Sequence, residues 1–278
     1  MKRLRLLVSL ICLAVFVCFL PAGSFAEEKV LLMATTTSTD NTGLLEYLMP
    51  KFKEATGIEV KWTATGTGQA LKLGENCDVD ILMVHAPDAE KKFVSDGFGV
   101  DRREIMYNDF VVIGPLNDPA EIKGKSIKIA LGSIKAKNAI FVSRGDNSGT
   151  HKQELALWKA ADLPVPEKEP WYLQTGQGML ATINVASERN GYTMTDRGTY
   201  IKYEADMKGN LPLKILVEGD RALLNQYSVI TINKIKCPKV KDNLAKQFTN
   251  WITGAKAQQL IKDFKLLGKQ LFTPNAKK

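Results

Sequence analysis

Short apolar segments typical of β-strands alternate with helical patterns from about residue 27 to the end of the chain. Strands separated by helices favour an α/β fold, because each helix carries the chain back across the sheet to a neighbouring strand. The sheets are therefore predicted to be mixed but mostly parallel, with helices on their faces. The eight predicted strands are residues 29–34, 58–64, 79–84, 105–114, 139–143, 171–174, 213–218 and 227–233.

Apolar residues at helical spacing mark the segments between these strands. The stripe that begins at Leu44 predicts a helix that is kinked at Pro50 and ends at Gly57. The stretch 240–264 predicts two consecutive helices with a break at Thr253 and Gly254. Helices therefore account for most of the chain between the predicted strands.

Two of the predicted strands, 105–114 and 227–233, are long enough to cross between two lobes. If both cross, the first lobe consists of residues 27–112 and 225–278, and the second consists of residues 113–224. Without the first 26 of the 278 residues, 252 remain, which is enough for one large domain or for two lobes that each bury a hydrophobic core.

The first 26 residues have the pattern of a cleavable export signal. Lys2, Arg3 and Arg5 precede an uncharged run from 6 to 20, and small residues near Ala26 offer a cleavage site. A membrane anchor is the alternative, but this run is shorter than the roughly 20 residues that span a bilayer. We expect a mature protein that begins near Glu27.

The charge balance is mildly basic. The formal net charge is +8, and removal of the three signal-peptide cations leaves +5. This excess is spread along the chain and suits an anionic ligand, whereas no basic run resembles a nucleic-acid-binding arm. No nucleic-acid partner is therefore expected.

Two cysteines, Cys77 and Cys237, remain after cleavage. In an oxidising compartment they could form one disulfide, or they could be two separate buried thiols. With His85 and His151 as the only histidines and no C-x-x-C motif, neither a structural zinc site nor another metal site is expected. No cofactor is expected either.

Three predicted strands lead into hydroxyl-rich or glycine-rich turns that open helices. These turns are Thr35–Thr39, Thr65–Gly68 and Ser143–Thr150. Ligands of open α/β sheets bind beyond the carboxyl ends of the strands, and free N–H groups at helix starts favour an anion. Each turn alone could be a simple cap, but their shared context predicts one anion site, to which Arg144 adds a permanent positive charge.

An enzyme is the alternative from a different class. An exported hydrolase could use Ser148 as nucleophile and His151 as base, but Ser148 does not lie in a G-x-S-x-G elbow. The sequence identifies no acid that would orient His151, so a capping or surface role is expected for it. We predict no catalytic residues and no enzymatic activity.

Several motifs together resemble the tungstate-binding proteins that serve ABC importers. The matching segments cover nearly the whole mature chain, in order, and the most specific are TTTS after the first strand and SRGDNSGTH in the middle. The resemblance implies a type II periplasmic binding protein fold, in which two lobes joined by two crossover strands close over one oxyanion. It also implies a periplasmic location, a permease and an ATPase as partners, and a monomer.

The resemblance implies a set of ligand-binding residues drawn from all three turns. The spacing Arg-x-Asp-x-Ser-Gly-Thr, which is similar to that of phosphate-binding importer proteins, falls on residues 144–150. Arg144 would supply the counter-charge, and hydroxyl and N–H groups would donate hydrogen bonds. The predicted ligand-binding residues are Thr36, Thr37, Ser38, Thr67, Arg144, Ser148, Gly149 and Thr150.

The first turn distinguishes this chain from the phosphate-binding type, which has a glycine-rich turn where this chain has TTTS. Tungstate is therefore the expected ligand, with molybdate as an oxyanion of almost equal size and phosphate as the main alternative. Tungstate carries no proton, so a carboxylate that touched it would repel it. Asp146 is accordingly expected to hold Arg144 or to cap the helix near Ser148. A third hypothesis is a sensor or adhesion module of the same fold, which would bind the anion equally well.

Overall fold

The computed structural model describes residues 29–277. The predicted signal peptide lies outside the described residues. Of the helices in this described part, none is both long and apolar enough to cross a membrane. Residues 29–277 also contain no group of three or more His, Cys, Asp or Glu side chains placed to hold a metal ion.

Strands and helices alternate along the chain, as the pattern predicts. The strands are β1 Val30–Thr36, β2 Glu59–Thr65, β3 Ile81–Val84, β4 Gly99–Pro115, β5 Phe141–Ser143, β6 Tyr172–Gln174, β7 Thr193–Asp196, β8 Leu213–Val217, β9 Leu224–Ile232, β10 Lys265–Leu266, β11 Lys269–Gln270 and β12 Thr273–Pro274. The helices are α1 Thr37–Asp40, α2 Leu44–Thr56, α3 Thr67–Glu75, α4 Pro87–Ser95, α5 Ile127–Ala136, α6 Gly149–Ala160, α7 Met179–Glu188, α8 Arg197–Asp206, α9 Asp242–Ile252 and α10 Ala255–Asp263.

The main sheet is mixed and has the strand order β12-β4-β9-β3-β1-β2, with β7 and β8 also paired to β4. The β1–β2 and β1–β3 pairs are parallel, as expected for strands joined by helices. The pairs made by β4 and β9 are antiparallel and outnumber the parallel ones in this sheet. The α/β fold is therefore confirmed. The prediction of mostly parallel pairing is wrong for this sheet, because β4 and β9 pair antiparallel with all their neighbours.

Strand β4 passes from one part of the sheet to another. It pairs with β9 as far as Asp109, opposite Leu224, and with β7 from Phe110 onward. This change of partner lies close to the predicted lobe boundaries after residues 112 and 224. As a division of the chain into lobes, those boundaries stay a prediction.

The buried apolar side chains form four clusters. Two of them draw on residues 31–106 and 227–272, and Ile201 of α8 also packs into this group. The other two draw on residues 110–223. Along β4 the boundary between the two groups falls between Met106 and Phe110, where the strand changes its pairing partner.

Several local predictions are confirmed. Helix α2 begins at Leu44, runs through Pro50 and ends at Gly57, whose φ of 71° is the left-handed conformation that favours glycine. The tail forms two helices separated at Thr253 and Gly254. Strand β7 was not predicted from the sequence. Its four residues include two threonines and an aspartate, so no apolar run marks it.

Cys77 and Cys237 form a disulfide, with their Cα atoms 5.4 Å apart. The bond joins the segment after α3 to the segment after β9, across a sequence separation of 160 residues. Of the two alternatives that the sequence leaves open, the disulfide is the one present.

Candidate functional site

The first polar turn follows β1 directly and begins with a capping threonine. Thr36 is the N-cap of the four-residue helix α1, and its Oγ1 accepts a hydrogen bond from Thr39 N at 3.3 Å. The same Oγ1 lies 2.6 Å from Thr39 Oγ1 and 3.1 Å from Ser38 Oγ. Thr36 is buried, whereas Thr37 is exposed and Ser38 is half-buried. Thr37 and Ser38 therefore present the accessible groups of this turn.

The second polar turn opens α3 and contains an unsatisfied hydroxyl. The N-cap Gly66 provides no side-chain acceptor, so the first N–H groups of the helix are not capped by it. Thr67 is 2 % exposed, and its Oγ1 is buried without a hydrogen-bond partner among the described residues. Buried hydroxyls are normally paired, so this unpaired hydroxyl on a residue that lines a cavity is a candidate hydrogen-bonding group.

The third polar turn holds Arg144 and Asp146 together. Asp146 Oδ2 accepts hydrogen bonds from Arg144 Nε at 3.1 Å and Nη2 at 2.5 Å, and Oδ1 accepts one from Ser148 N at 3.1 Å. Burial raises the pKa of Asp146, but the hydrogen bonds from Ser148 and the charge of Arg144 outweigh it and hold the pKa below its ordinary value. Asp146 is therefore ionised at neutral pH and makes both contacts expected for it.

Ser148 is the N-cap of α6. Its Oγ accepts a hydrogen bond from the backbone N–H of His151 at 3.3 Å. The Ser148 side chain does not cap the N–H groups of Gly149 and Thr150, which belong to the first turn of this 12-residue helix. His151 is buried, and its Nδ1 accepts a hydrogen bond from Asn147 N at 3.0 Å. The surface position considered for His151 is therefore wrong, because the imidazole folds back onto the loop before the helix.

All eight predicted ligand-binding residues line one cavity of about 460 Å³. Residues 36–38 and 67 come from one side of it, and residues 144 and 148–150 come from the other. A neighbouring cavity of about 390 Å³ shares Thr37, Ser38 and Arg144, so the two form a continuous cleft. The cleft brings together residues more than 100 positions apart in the sequence because β1, β2 and β5 all end there.

Comparisons with known proteins agree with this geometry. Residues 23–256 match a family model described as a PBP superfamily domain. The chain is 52% identical over 240 residues to a tungstate-binding protein of Campylobacter jejuni, covering 86% of this chain and 89% of that protein. The chain belongs to the family of tungstate-binding proteins.

Solved structures of similar proteins extend this result to the fold. A tungstate-binding protein from Desulfovibrio alaskensis is 68% identical with a TM-score of 0.85, covering 89% of this chain and 99% of that one. A tungstate ABC transporter structure from Geobacter sulfurreducens is 47% identical with a TM-score of 0.75, covering 85% and 99%. The predicted resemblance to tungstate-binding proteins, and the periplasmic binding protein fold that it implies, are confirmed.

The cavity of this tungstate-binding family member contains residues that sequence reasoning missed. Gln69, His85 and Lys152 lie outside the three predicted turns. The turns themselves contribute further residues that were not predicted to bind the ligand, which are Thr65, Gly66, Gly68 and Asn147. Thr65, Gln69 and Asn147 flank predicted residues, so proximity in the sequence was an available signal. His85 and Lys152 had none, because a single histidine or lysine in a mildly basic chain carries no functional pattern.

Lys152 brings a second positive charge to the cavity wall. It lies on α6, and its Nζ is 3.8 Å from the position that a Cβ at Gly68 would take on α3. The ionisable side chains on the wall are His85, Arg144, Asp146 and Lys152. Burial lowers the pKa of His85, which is neutral at neutral pH, so the wall carries one net positive charge. This favours an anionic ligand over a neutral or cationic one.

A buried carboxylate fixes the base of the third turn. Glu154 accepts hydrogen bonds from Ser143 Oγ at 2.6 Å, from Tyr172 OH at 2.6 Å and from Trp158 Nε1 at 3.2 Å. Burial raises the pKa of Glu154 although these hydrogen bonds oppose the shift. The network ties α6 to β5 and β6, so the loop that carries Arg144 starts from a rigid base.

Proposed function

We propose that this chain binds tungstate, and molybdate as an oxyanion of the same shape, in the cleft between its two lobes and delivers it to an ABC importer. The relatives that are named tungstate-binding proteins match this chain over most of their length. The chain thus acts as the solute-binding component of a transport system.

The observation that carries the proposal is the convergence of hydrogen-bond donors on one cavity. The donors are Thr37, Ser38, the unpartnered Thr67 hydroxyl, Arg144 and the first turn of α6. Hydrogen bonds to a charged group contribute roughly 1.5–3 kcal/mol each, so a handful suffices for tight binding after the costs of closure. A fully deprotonated dianion fits this site because it only accepts.

The ligand-binding residues are Thr36, Thr37, Ser38, Thr67, Arg144, Ser148, Gly149 and Thr150. Asp146 stays off the ligand, since both its oxygens already accept hydrogen bonds from Arg144 and Ser148. The site needs no bound metal or cofactor, because the tungsten enters only as the oxyanion.

Loading changes the relation between the lobes, which are residues 27–112 with 225–278 and residues 113–224. Closure on the anion would let a permease distinguish loaded from empty protein.

The protein acts as a monomer in the periplasm after cleavage near Ala26. Export and cleavage are tested by the N-terminal sequence of the secreted protein, and the monomer by its mass in solution.

The deciding experiment is calorimetric titration of residues 27–278 with tungstate, molybdate, sulfate and phosphate. One-to-one binding of tungstate that persists in excess sulfate and phosphate supports the proposal. Binding of phosphate but not tungstate would make phosphate the ligand and would place Asp146 in contact with it. No binding of any of these anions would contradict the proposal.

A hydrolase is not favoured by the geometry. Ser148 Oγ accepts the His151 N–H, and the imidazole directs Nδ1 to Asn147 N. His151 Nε2 has no partner among the described residues, so the two side chains do not form a nucleophile–base pair here. Absence of ester hydrolysis by the purified protein remains a prediction to be measured.

A further inference from the structure

His85 links the anion cleft to the strands that cross between the lobes. The imidazole follows β3, is 8 % exposed and stacks on Tyr227 with the ring centres 4.7 Å apart. Its Nε2 lies 3.0 Å from both Ser38 Oγ and Thr36 Oγ1 on the cleft side. Its Nδ1 lies 2.9 Å from Asn225 Oδ1 on β9.

Asn225 continues the chain of hydrogen bonds to β4. Its Nδ2 donates to Asn108 Oδ1 at 2.7 Å and to Tyr227 OH at 3.2 Å. Asn108 and Asn225 are paired across the two strands, one residue before Asp109, the last residue of β4 that pairs with β9. The polar chain therefore runs from the cleft to the crossing between the lobes.

The orientation of the Asn225 amide determines which imidazole nitrogen is assigned the proton. Because Asn225 directs its oxygen toward His85, Nδ1 must carry the proton, and Nε2 of the neutral ring can only accept. Burial lowers the pKa of His85, which agrees with a neutral ring. In this arrangement Nε2 accepts a hydrogen bond from the hydroxyl of Ser38 or of Thr36, each 3.0 Å away.

A hydroxyl has one proton, so Ser38 cannot donate to His85 and to a tungstate oxygen at once. We propose that His85 is a positioning residue that changes its protonated nitrogen on loading. It carries its proton on Nδ1 and accepts from Ser38 in the ligand-free protein, and it carries its proton on Nε2 in the loaded protein, where it donates to Ser38 and turns the Ser38 hydroxyl toward the anion. The Nδ1 proton passes to solvent and Nε2 takes one from solvent, so the ring stays neutral. This rests on the proposed function, since it assumes an anion that only accepts.

Asn108, the last residue in this series of hydrogen bonds, gains a partner when their direction is reversed. In the arrangement described above, Asn108 Nδ2 is buried without a hydrogen-bond partner among the described residues. When the Asn225 amide turns to donate to Nδ1, its oxygen faces Asn108 and can accept from that amino group once the Asn108 amide also turns. Each hydrogen bond in the series then points toward the anion: Asn225 donates to His85, His85 donates to Ser38, and Ser38 donates to the anion.

The experiment is 15N NMR of the imidazole rings in the mature protein, with and without tungstate. The chain has two histidines, so a His151→Gln variant assigns the His85 signals. We expect a protonated Nδ1 in the ligand-free protein and a protonated Nε2 in the loaded protein. Protonation of Nδ1 alone in both states, or of Nε2 in both, would overturn the inference.

Affinity measurements test the same inference by a second route. His85→Phe keeps an aromatic ring against Tyr227 but removes both nitrogens, and we expect it to weaken tungstate binding at least tenfold. His85→Gln restores a donor toward Ser38, and we expect it to recover most of that loss. Native affinity in His85→Phe would overturn the inference, whereas no tungstate binding by the native protein would contradict the proposed function instead.

Discussion

The guanidinium of Arg144 places both Nε and Nη2 on a single oxygen of Asp146, at 3.1 and 2.5 Å. Each of the two side chains retains only 18% of its exposure, so the pair is held at the cleft wall rather than in open solvent. The carboxylate fixes the orientation of the cation, and the remaining guanidinium N–H groups are left for a ligand.

Replacement of Arg144 by Ala is expected to weaken tungstate binding strongly. The dianion would lose its counter-charge, at a cost of about 2–5 kcal/mol by analogy with truncated charge pairs. Arg144→Lys keeps the charge but loses the planar fork, and we expect an intermediate affinity. Calorimetric titration measures each affinity, and thermal unfolding checks that the fold persists. Native affinity in Arg144→Ala would remove this residue from the site.

Replacement of Lys152 by Gln should lower the affinity and its dependence on salt. A half-buried cation that faces a dianion contributes on the order of 1–2 kcal/mol. Lys159→Gln is the matched control, because Lys159 lies exposed near the other end of α6. Titrations at low and high ionic strength give both quantities. If the two variants behave alike, Lys152 acts only through the overall charge of the protein.

A side chain at Gly149 is expected to hinder the approach of the two sides of the cleft. A Cβ there would lie 3.4 Å from both Thr67 Oγ1 and His85 Cε1. We expect Gly149→Ala to cost about 1–2 kcal/mol of binding free energy through this crowding. Gly132→Ala on α5 is the control, since a Cβ there meets no atom within 4 Å. Equal affinities in the two variants would contradict this steric role.

Asp146 is expected to make stability depend on pH in acid. Its pKa in the folded protein lies below the ordinary value of 3.8, so its contribution is fully present above about pH 4. The contribution is lost as the pH falls through the folded-state pKa, and for this partly exposed pair it amounts to about 0.5–1 kcal/mol. Thermal unfolding of the native protein and Asp146→Asn between pH 2 and 7 measures it. The two curves should converge only at the acid end, and a constant offset would contradict the linkage.

Removal of the disulfide is expected to lower stability without weakening tungstate binding. Cys77 and Cys237 close a long loop, so Ser at both positions should reduce the free energy of unfolding by about 2–5 kcal/mol. Neither cysteine lines the cavity, which is why the affinity should be unchanged. Urea unfolding and calorimetric titration give the two values. Native stability in the double variant would show that the loop is held by other contacts.

Local features of the fold could be predicted from the sequence because local interactions produce them. Gly57 ends α2 in the left-handed conformation that favours glycine. The break between α9 and α10 has a different local cause, because Gly254 is extended and is the N-cap of α10. Strand β7 could not be predicted, because pairing with β4 rather than its own side chains makes it a strand.

The three polar turns could likewise be predicted as a site, since each combines a strand end, hydroxyl or glycine residues and a helix start. The contacts of Asp146 span two residues in either direction and follow from the same motif. His85 and Lys152 escaped prediction because their importance depends on neighbours far away in the sequence. Asn225, for example, is 140 residues from His85.

The sequence by itself determined the α/β class, the family and the polar turns, because these depend on periodicity and on motifs of a few residues. Only the tertiary structure decided which turns face one another, that Cys77 pairs with Cys237, and that a histidine joins the cleft to the crossing strands. The physical reason is that strand order sets distances between residues remote in the sequence, and hydrogen bonds and disulfides form only at those distances.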